Sequence, residues 1–188
     1  TARYRAFLAE ALDVSVRAKD ANVRSDAAAR GALLTPIAKA FSTDIGNEVA
    51  YLGVQVHGGM GFIEETGAAQ HYRDARIAQI YEGTNGIQAM DLVGRKLALN
   101  GGRGVRALLE AIAGDIAAAK AAGDPAGVAE PLEKALGHLQ GATMWLAQNG
   151  MADPDNAGAG AYAYMQLMGL VSLGWMWLKM ATASDRLK

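Results

Sequence analysis

IAQIYEGTNGIQ, residues 77–88, sets a lone carboxylate, Glu82, between a tyrosine and a glycine. An apolar run ends there, and Thr84 offers a hydroxyl able to cap a new helix. Gly83 removes a side chain beside Glu82, leaving room for a flat ligand to come close to the carboxylate. Between neighbours such as Ile80 and Tyr81, a desolvated carboxylate would suit general-base work. A second reading stays open on these residues alone, because an isolated loop glutamate is usually a solvated one.

On both sides of this stretch, apolar residues recur every three to four positions, the period of a helix. Upstream, Phe7, Leu8, Leu12 and Val16 predict a helix over residues 2–20, with Asp13 and Arg17 paired one turn apart. Leu33, Leu34, Ile37, Phe41, Ile45, Val49, Leu52 and Val56 predict a second over 26–56, bent or briefly broken at Pro36. HGGMGF, residues 57–62, ends it. A short helix is expected over 64–74 and a further one over 85–99, with Thr84 as its N-cap.

Asn100, Gly101 and Gly102 form the clearest joint and divide the chain into residues 1–100 and 101–188. Three helical patterns follow. Val105, Leu108, Leu109, Ile112 and Ile116 stripe the first, and Leu132, Leu136, Leu139, Thr143 and Leu146 the second. The third is the run from Asn156 to Lys179, which has no charge between its ends. No alternating block is long enough for a strand. The expected fold is therefore all-α, an up-down helical bundle followed by a three-helix extension.

Composition narrows the function. Apolar residues make up 51% and charged residues 20%, which excludes a chain disordered throughout. Eighteen basic residues against 19 acidic give a net charge of −1, and no basic stripe recurs, so nucleic acid is not an expected partner. The absence of cysteine removes disulfides and thiolate chemistry, and three scattered histidines make no metal site. The run 156–179 is long enough to span a bilayer, but it is rich in Ala, Gly, Tyr and Met. It is expected to be a helix buried in a bundle or subunit contact, with no membrane span. The chain opens TARYRAFLAEAL, as a helix already in progress, and a piece of a longer cytoplasmic protein is expected.

Two places suit an anion. Gln55, Val56, His57, Gly58 and Gly59 end a long helix in bare backbone, and Thr84, Asn85 and Gly86 open another. HGGMGF lacks the strand-turn-helix setting of a dinucleotide fingerprint, so the motif alone is weak.

Residues 53–97 taken together resemble the carboxy-terminal helical domain of the acyl-CoA dehydrogenases. The resemblance is carried in order by Gln55 with Gly58 and Gly59, Gly61-Phe62, Glu65, Arg73-Asp74, Ile77, and Ile80-Tyr81-Glu82-Gly83-Thr84. It implies a bacterial flavoprotein that oxidises an acyl-CoA thioester to a trans-2-enoyl-CoA. Glu82 would remove the α-proton while the β-hydrogen leaves as hydride to flavin N5. The resemblance assigns Gln55, Val56, His57, Gly58 and Gly59 to the adenosine diphosphate of an FAD held mainly by a neighbouring subunit. It assigns Thr84, Asn85 and Gly86 to the pyrophosphate in the chain's own site, and Tyr81 and Gly83 to the walls of the acyl-thioester slot. Many members carry glutamine at the position of Gly86, so a side-chain hydrogen bond is missing there. Arg73 and Asp74 also read as an ion pair shaping the domain.

The implied partners are an acyl-CoA, an electron-transfer flavoprotein or similar acceptor, and further copies in a homodimer or homotetramer. Residues 103–188 resemble the additional helical tail of larger bacterial members, which include enzymes acting on 3-methylthiopropanoyl-CoA. A complete member also has an amino-terminal helical and a middle β domain, so this piece alone is expected neither to turn over nor to hold FAD well. The alternatives are a non-enzymatic helical interaction or assembly module derived from the family, and a membrane-associated helical protein.

Overall fold

The computed structural model describes residues 2–124, 126–150 and 152–185, and these contain helices and turns but no strand. Helix α1 (Ala2–Arg17) lies against the 36-residue α2 (Ala21–Val56). The boundary between them falls earlier than periodicity suggests. Asp20 is the N-cap of α2, its carboxylate accepting from the Asn22 and Val23 amides at 2.7 and 3.4 Å, so α1 stops at Arg17. The Asp13–Arg17 pair forms at 3.0 Å. Pro36 does not break α2; it is buried mid-helix, with the helix continuing on both sides.

After α2 come the four-residue α3 (Gly59–Phe62), a 3-10 turn at Glu64–Thr66, and α4 (Ala68–Ile77). The helix expected over 64–74 is thus shifted, because Gly67 at φ 73° separates the turn from the helix proper. Arg73 pairs with Glu64, at 2.8 and 2.6 Å through its two terminal guanidinium nitrogens, and not with Asp74. Adjacent helical residues point to different faces, whereas Glu64 comes back from the preceding turn.

Helix α5 (Asn85–Asp91) runs into one turn of π-helix, Leu92–Lys96, closed by the Leu97 amide donating to the Leu92 carbonyl at 3.0 Å. Asn100, Gly101 and Gly102 all have positive φ and turn the chain into α6 (Arg103–Ala121). Helices α7 (Ala129–Asn149) and α8 (Pro154–Asp185) complete the extension. Asp124 accepts from the Val128 and Ala129 amides at the start of α7, and Pro154 stands at the first position of α8, where a missing N–H costs nothing.

One core takes side chains from both sides of the Asn100–Gly102 turn. Leu33, Leu34, Ile37 and Phe41 of α2 meet Met165, Met168 and Val171 of α8, and the stripes of α6 and α7 close over the same helix. Tyr164, Trp175, Met176 and Leu178 are also buried, so α8 is covered on most of its circumference, as a central helix must be. Gly169 allows this close approach, because a Cβ there would collide with the Phe41 ring. Among the described residues no helix is long and apolar enough to cross a membrane.

The expected stripes are buried only in part. On α2, Val49, Leu52 and Val56 are exposed, Val56 at 86%, and on α1 Leu12 and Val16 are exposed as well. Periodicity marks an apolar face; nothing in the described chain covers these parts of it.

Candidate functional site

The segment between α4 and α5 is built from two tight reversals. The Ala78, Gln79 and Ile80 amides donate three residues back, at 3.2, 3.2 and 2.9 Å, and close the end of α4. Glu82 (φ 53°) and Gly83 (φ 84°) then both adopt left-handed backbone, which turns the chain into α5. That conformation is free for glycine but costs about 1 kcal/mol or more for glutamate. Thr84 caps α5 as expected, its hydroxyl accepting from the Ile87 amide at 3.3 Å. The Gln88 side chain returns to donate to the Glu82 carbonyl at 3.1 Å.

Beneath this turn lies a polar network. Lys39 of α2 donates to the Gly83 carbonyl at 2.7 Å and to the Asn85 side-chain carbonyl at 2.8 Å. Asn85 is 6% exposed, and its amide shares its hydrogens among the Ala40 carbonyl, Thr43 Oγ1 and Asp44 Oδ1, at 3.1, 2.9 and 2.7 Å. Asp44 Oδ1 also accepts from Gln79 at 2.7 Å, while Oδ2 accepts from the Tyr162 hydroxyl at 2.6 Å and the Gln166 amide at 2.7 Å, both on α8. Arg76 donates to the Gln79 side-chain carbonyl at 2.6 Å and fixes which end of that amide faces Asp44. Asn47 ties α2 to the Ala75 carbonyl at 2.9 Å.

Every polar atom at the centre of this network has a partner, the condition for a buried polar cluster to rigidify its surroundings. Desolvation lowers the pKa of Lys39, against the opposing pull of Asp44 and Glu82. Burial, followed by the hydrogen bond to Asp44, raises that of Tyr162. Lys39, Asp44, Gln79, Tyr162 and Gln166 were not among the expected site residues. The one local signal is that Lys39, Thr43 and Asp44 interrupt the apolar stripe of α2 with polar groups one turn apart.

The expected residues fall into two separate groups. Tyr81, Glu82, Gly83 and Thr84 are exposed, with Asn85 buried below them and Gly86 exposed beside them. The apolar shelter expected from Ile80 and Tyr81 is not provided within this chain, since they are 45% and 53% exposed. Any desolvation of Glu82 has to come from whatever covers this face. Gln55, Val56, His57, Gly58 and Gly59 are exposed at the far end of α2. From Thr43, which touches Asn85, to Gln55 is twelve residues, roughly 18 Å along a helix. The two groups therefore do not share one pocket in this chain.

At the end of α2 the glycines stand open. Ideal Cβ atoms at Gly58 and Gly59 would meet nothing within 4 Å, and Gly58 lies at φ 59°. His57 Nδ1 is tied back to the Gly53 carbonyl at 2.8 Å, which leaves the glycines uncovered. A hollow of about 680 Å³ lies elsewhere, among Val93, Leu97, Val105, Leu109 and Met144, and includes no residue of the 77–88 stretch. Among the described residues no group of acidic or histidine side chains is arranged to hold a metal ion.

Residues 8–98 match the model of the acyl-CoA dehydrogenase C-terminal domain, and residues 108–188 that of the acetyl-CoA dehydrogenase C-terminal-like domain. The chain is 44% identical over 155 residues to the 3-methylmercaptopropionyl-CoA dehydrogenase of Ruegeria pomeroyi, covering 81% of this chain and 26% of that protein. It is 35% identical over 125 residues to a butyryl-CoA dehydrogenase of Syntrophomonas wolfei, covering 66% of this chain and 20% of that one. The chain thus spans about a quarter of the length of these relatives or less. Among solved structures, ACDH-11 of Caenorhabditis elegans in complex with C11-CoA superposes over 91% of this chain and 29% of its own, with a TM-score of 0.69 at 20% identity. Bd2924 in its apo form superposes over 92% of this chain and 30% of its own, with a TM-score of 0.64 at 21% identity. Those two likenesses concern the fold alone.

Proposed function

The chain belongs to the acyl-CoA dehydrogenase family, and on that premise we propose that it forms the catalytic-base side of an FAD-dependent enzyme oxidising an acyl-CoA thioester to a trans-2-enoyl-CoA. The observation that carries the reading is Glu82 itself. It stands exposed on a left-handed turn whose backbone is fastened from below by Lys39 and Asn85.

The chemistry follows from that placement. A thioester carbonyl lying over the turn would accept from the Glu82 amide, which donates to no group among the described residues. Such a bond draws charge from the α-carbon and makes its proton acidic enough for a carboxylate. The Glu82 carboxylate takes that proton, and the electrons of the broken C–H bond form the new double bond as the β-hydrogen leaves with its own pair. FAD, when bound, supplies the acceptor for that hydrogen and its electron pair. Gly83 and Tyr81 would flank the thioester. Thr84 and Gly86 would face the pyrophosphate of the same flavin, whereas Asn85, buried with its side chain bonded to α2 and its amide donating to the Gln79 carbonyl at 3.1 Å, supports the turn from below and is not free to reach it. Gln55, Val56, His57, Gly58 and Gly59 would face the adenosine diphosphate of a flavin in a neighbouring subunit. An electron-transfer flavoprotein or similar carrier would reoxidise the enzyme.

The full-length protein should be yellow, and anaerobic addition of acyl-CoA should bleach it. A short, methylthio-bearing thioester is the first to try, given the relative from Ruegeria pomeroyi. Glu82→Gln should keep the flavin but lower turnover by about 10²–10⁴-fold, the usual contribution of a general base. Undiminished turnover in that variant would refute the assignment, and a colourless full-length protein would favour the assembly-module reading.

A further inference from the structure

Asp44 joins two segments of the chain that are distant in sequence from it and from each other. One of its oxygens holds Gln79 and Asn85, on either side of the Glu82 turn, and the other holds Tyr162 and Gln166 of α8, a helix of the extension. A carboxylate that accepts at both oxygens cannot rotate without breaking bonds at both ends. Tyr162 and Gln166 therefore fix the orientation in which Asp44 presents its other oxygen to the turn. Asn85 passes the constraint on, through Lys39, to the Gly83 carbonyl next to Glu82. No other hydrogen bond from a side chain of α8 reaches these residues among those described.

We propose that α8 positions the catalytic turn: Tyr162 and Gln166 act through Asp44 and Asn85 as positioning residues for Glu82. The inference rests on the dehydrogenase reading for its catalytic consequence, but the mechanical coupling does not depend on it. It gives the extension a task in the reaction besides packing, since a carboxylate displaced by even about 1 Å from its proton loses much of its rate.

The test uses the full-length flavoprotein. Gln166→Glu sets a second carboxylate 2.7 Å from Asp44 in place of an amide donor. Adding Asp44→Asn exchanges donor and acceptor and restores the bond with its polarity reversed, the logic of a double-mutant cycle. Tyr162→Phe removes one donor and keeps the ring, a milder variant in case Gln166→Glu disturbs folding. Two quantities are read: kcat against KM, and amide hydrogen exchange over residues 77–88, with residues 103–121 and flavin content as controls. Gln166→Glu should lower kcat by about tenfold at unchanged KM and flavin content, and accelerate exchange at 77–88 by a similar factor. Tyr162→Phe should do the same more weakly, and Asp44→Asn in the Gln166→Glu background should restore both readouts. Exchange at 77–88 unmoved by either single variant, or no recovery in the pair, would overturn the proposal. An unsubstituted protein lacking acyl-CoA turnover would instead overturn the dehydrogenase reading, and the exchange arm would still decide the coupling.

Discussion

Glu82 is held in a backbone conformation that a glutamate side chain opposes, and under the proposed role this sets stability against function at one residue. At φ 53° its Cβ crowds the following carbonyl, a cost of about 1–2 kcal/mol relative to glycine. Glycine gives back roughly 0.5–1 kcal/mol through the greater freedom of the unfolded chain. Glu82→Gly should therefore gain about 0.5–1 kcal/mol over a variant that keeps a side chain. The proper comparison is with Glu82→Gln and not with the unsubstituted protein, because both variants lose the attraction between Glu82 and Lys39. For a chain of this size the gain corresponds to about 1–4 °C in melting temperature, readable by differential scanning calorimetry. Both variants should be catalytically impaired. Strain retained at a functional residue is the pattern expected where the geometry serves the reaction. Equal melting temperatures, or Glu82→Gln melting above Glu82→Gly, would show that the turn stores no such strain and would remove this support for a functional role.

Two further perturbations test the packing and the electrostatics. Gly169→Ala should destabilise by about 1–3 kcal/mol, because the added methyl must displace the Phe41 ring, whereas Gly46→Ala, on an open face of α2, should be neutral or stabilising by about 0.5–1 kcal/mol; a thermal melt of each variant decides. Asp115 accepts from Trp175 Nε1 and Lys179 Nζ, both at 2.7 Å. Burial pushes its pKa up, but the bonds from Lys179 and Trp175 and the lysine charge outweigh it and hold the carboxyl below its ordinary value. A depressed carboxylate stabilises the fold above its unfolded pKa and loses that contribution as pH falls through the folded value. Asp115→Asn should therefore cost no more than about 1 kcal/mol at pH 7, the pair being partly exposed, and nothing measurable once the medium is acid enough to protonate Asp115. A cost that persists undiminished in acid would refute the pairing argument.

The helices were legible because each carries its own period, and α6 and α7 bury the side chains their stripes predict, save Thr143, which is half-buried. Boundaries were less so. Asp20 is a cap donor's partner that periodicity alone runs through, and Gly67 divides what reads as one short helix into a 3-10 turn and α4. The π-turn at Leu92–Lys96 leaves no mark in a pattern of apolar spacing. Arg73 chose Glu64 over its neighbour Asp74 because a helix separates adjacent side chains and a turn brings distant ones back. The Thr84 cap was readable from the local order of residues, but the exposure of Glu82 was not, because Ile80 and Tyr81 read as apolar shelter and are themselves exposed. The Asp44 network was not: its partners on α8 lie 118 and 122 residues away, and only the packing of α8 on α2 brings them together.

Abstraction of the α-proton by Glu82 can be separated from the redox step. A thioester analogue with sulfur in place of the β-carbon still has an acidic α-position but has no β-hydrogen to give up. Deuterated at the α-carbon and incubated with the full-length protein in ordinary water, it should lose its deuterium at a rate that falls by at least about a hundredfold in Glu82→Gln. Washout proceeding equally fast in both proteins would mean that the base lies elsewhere.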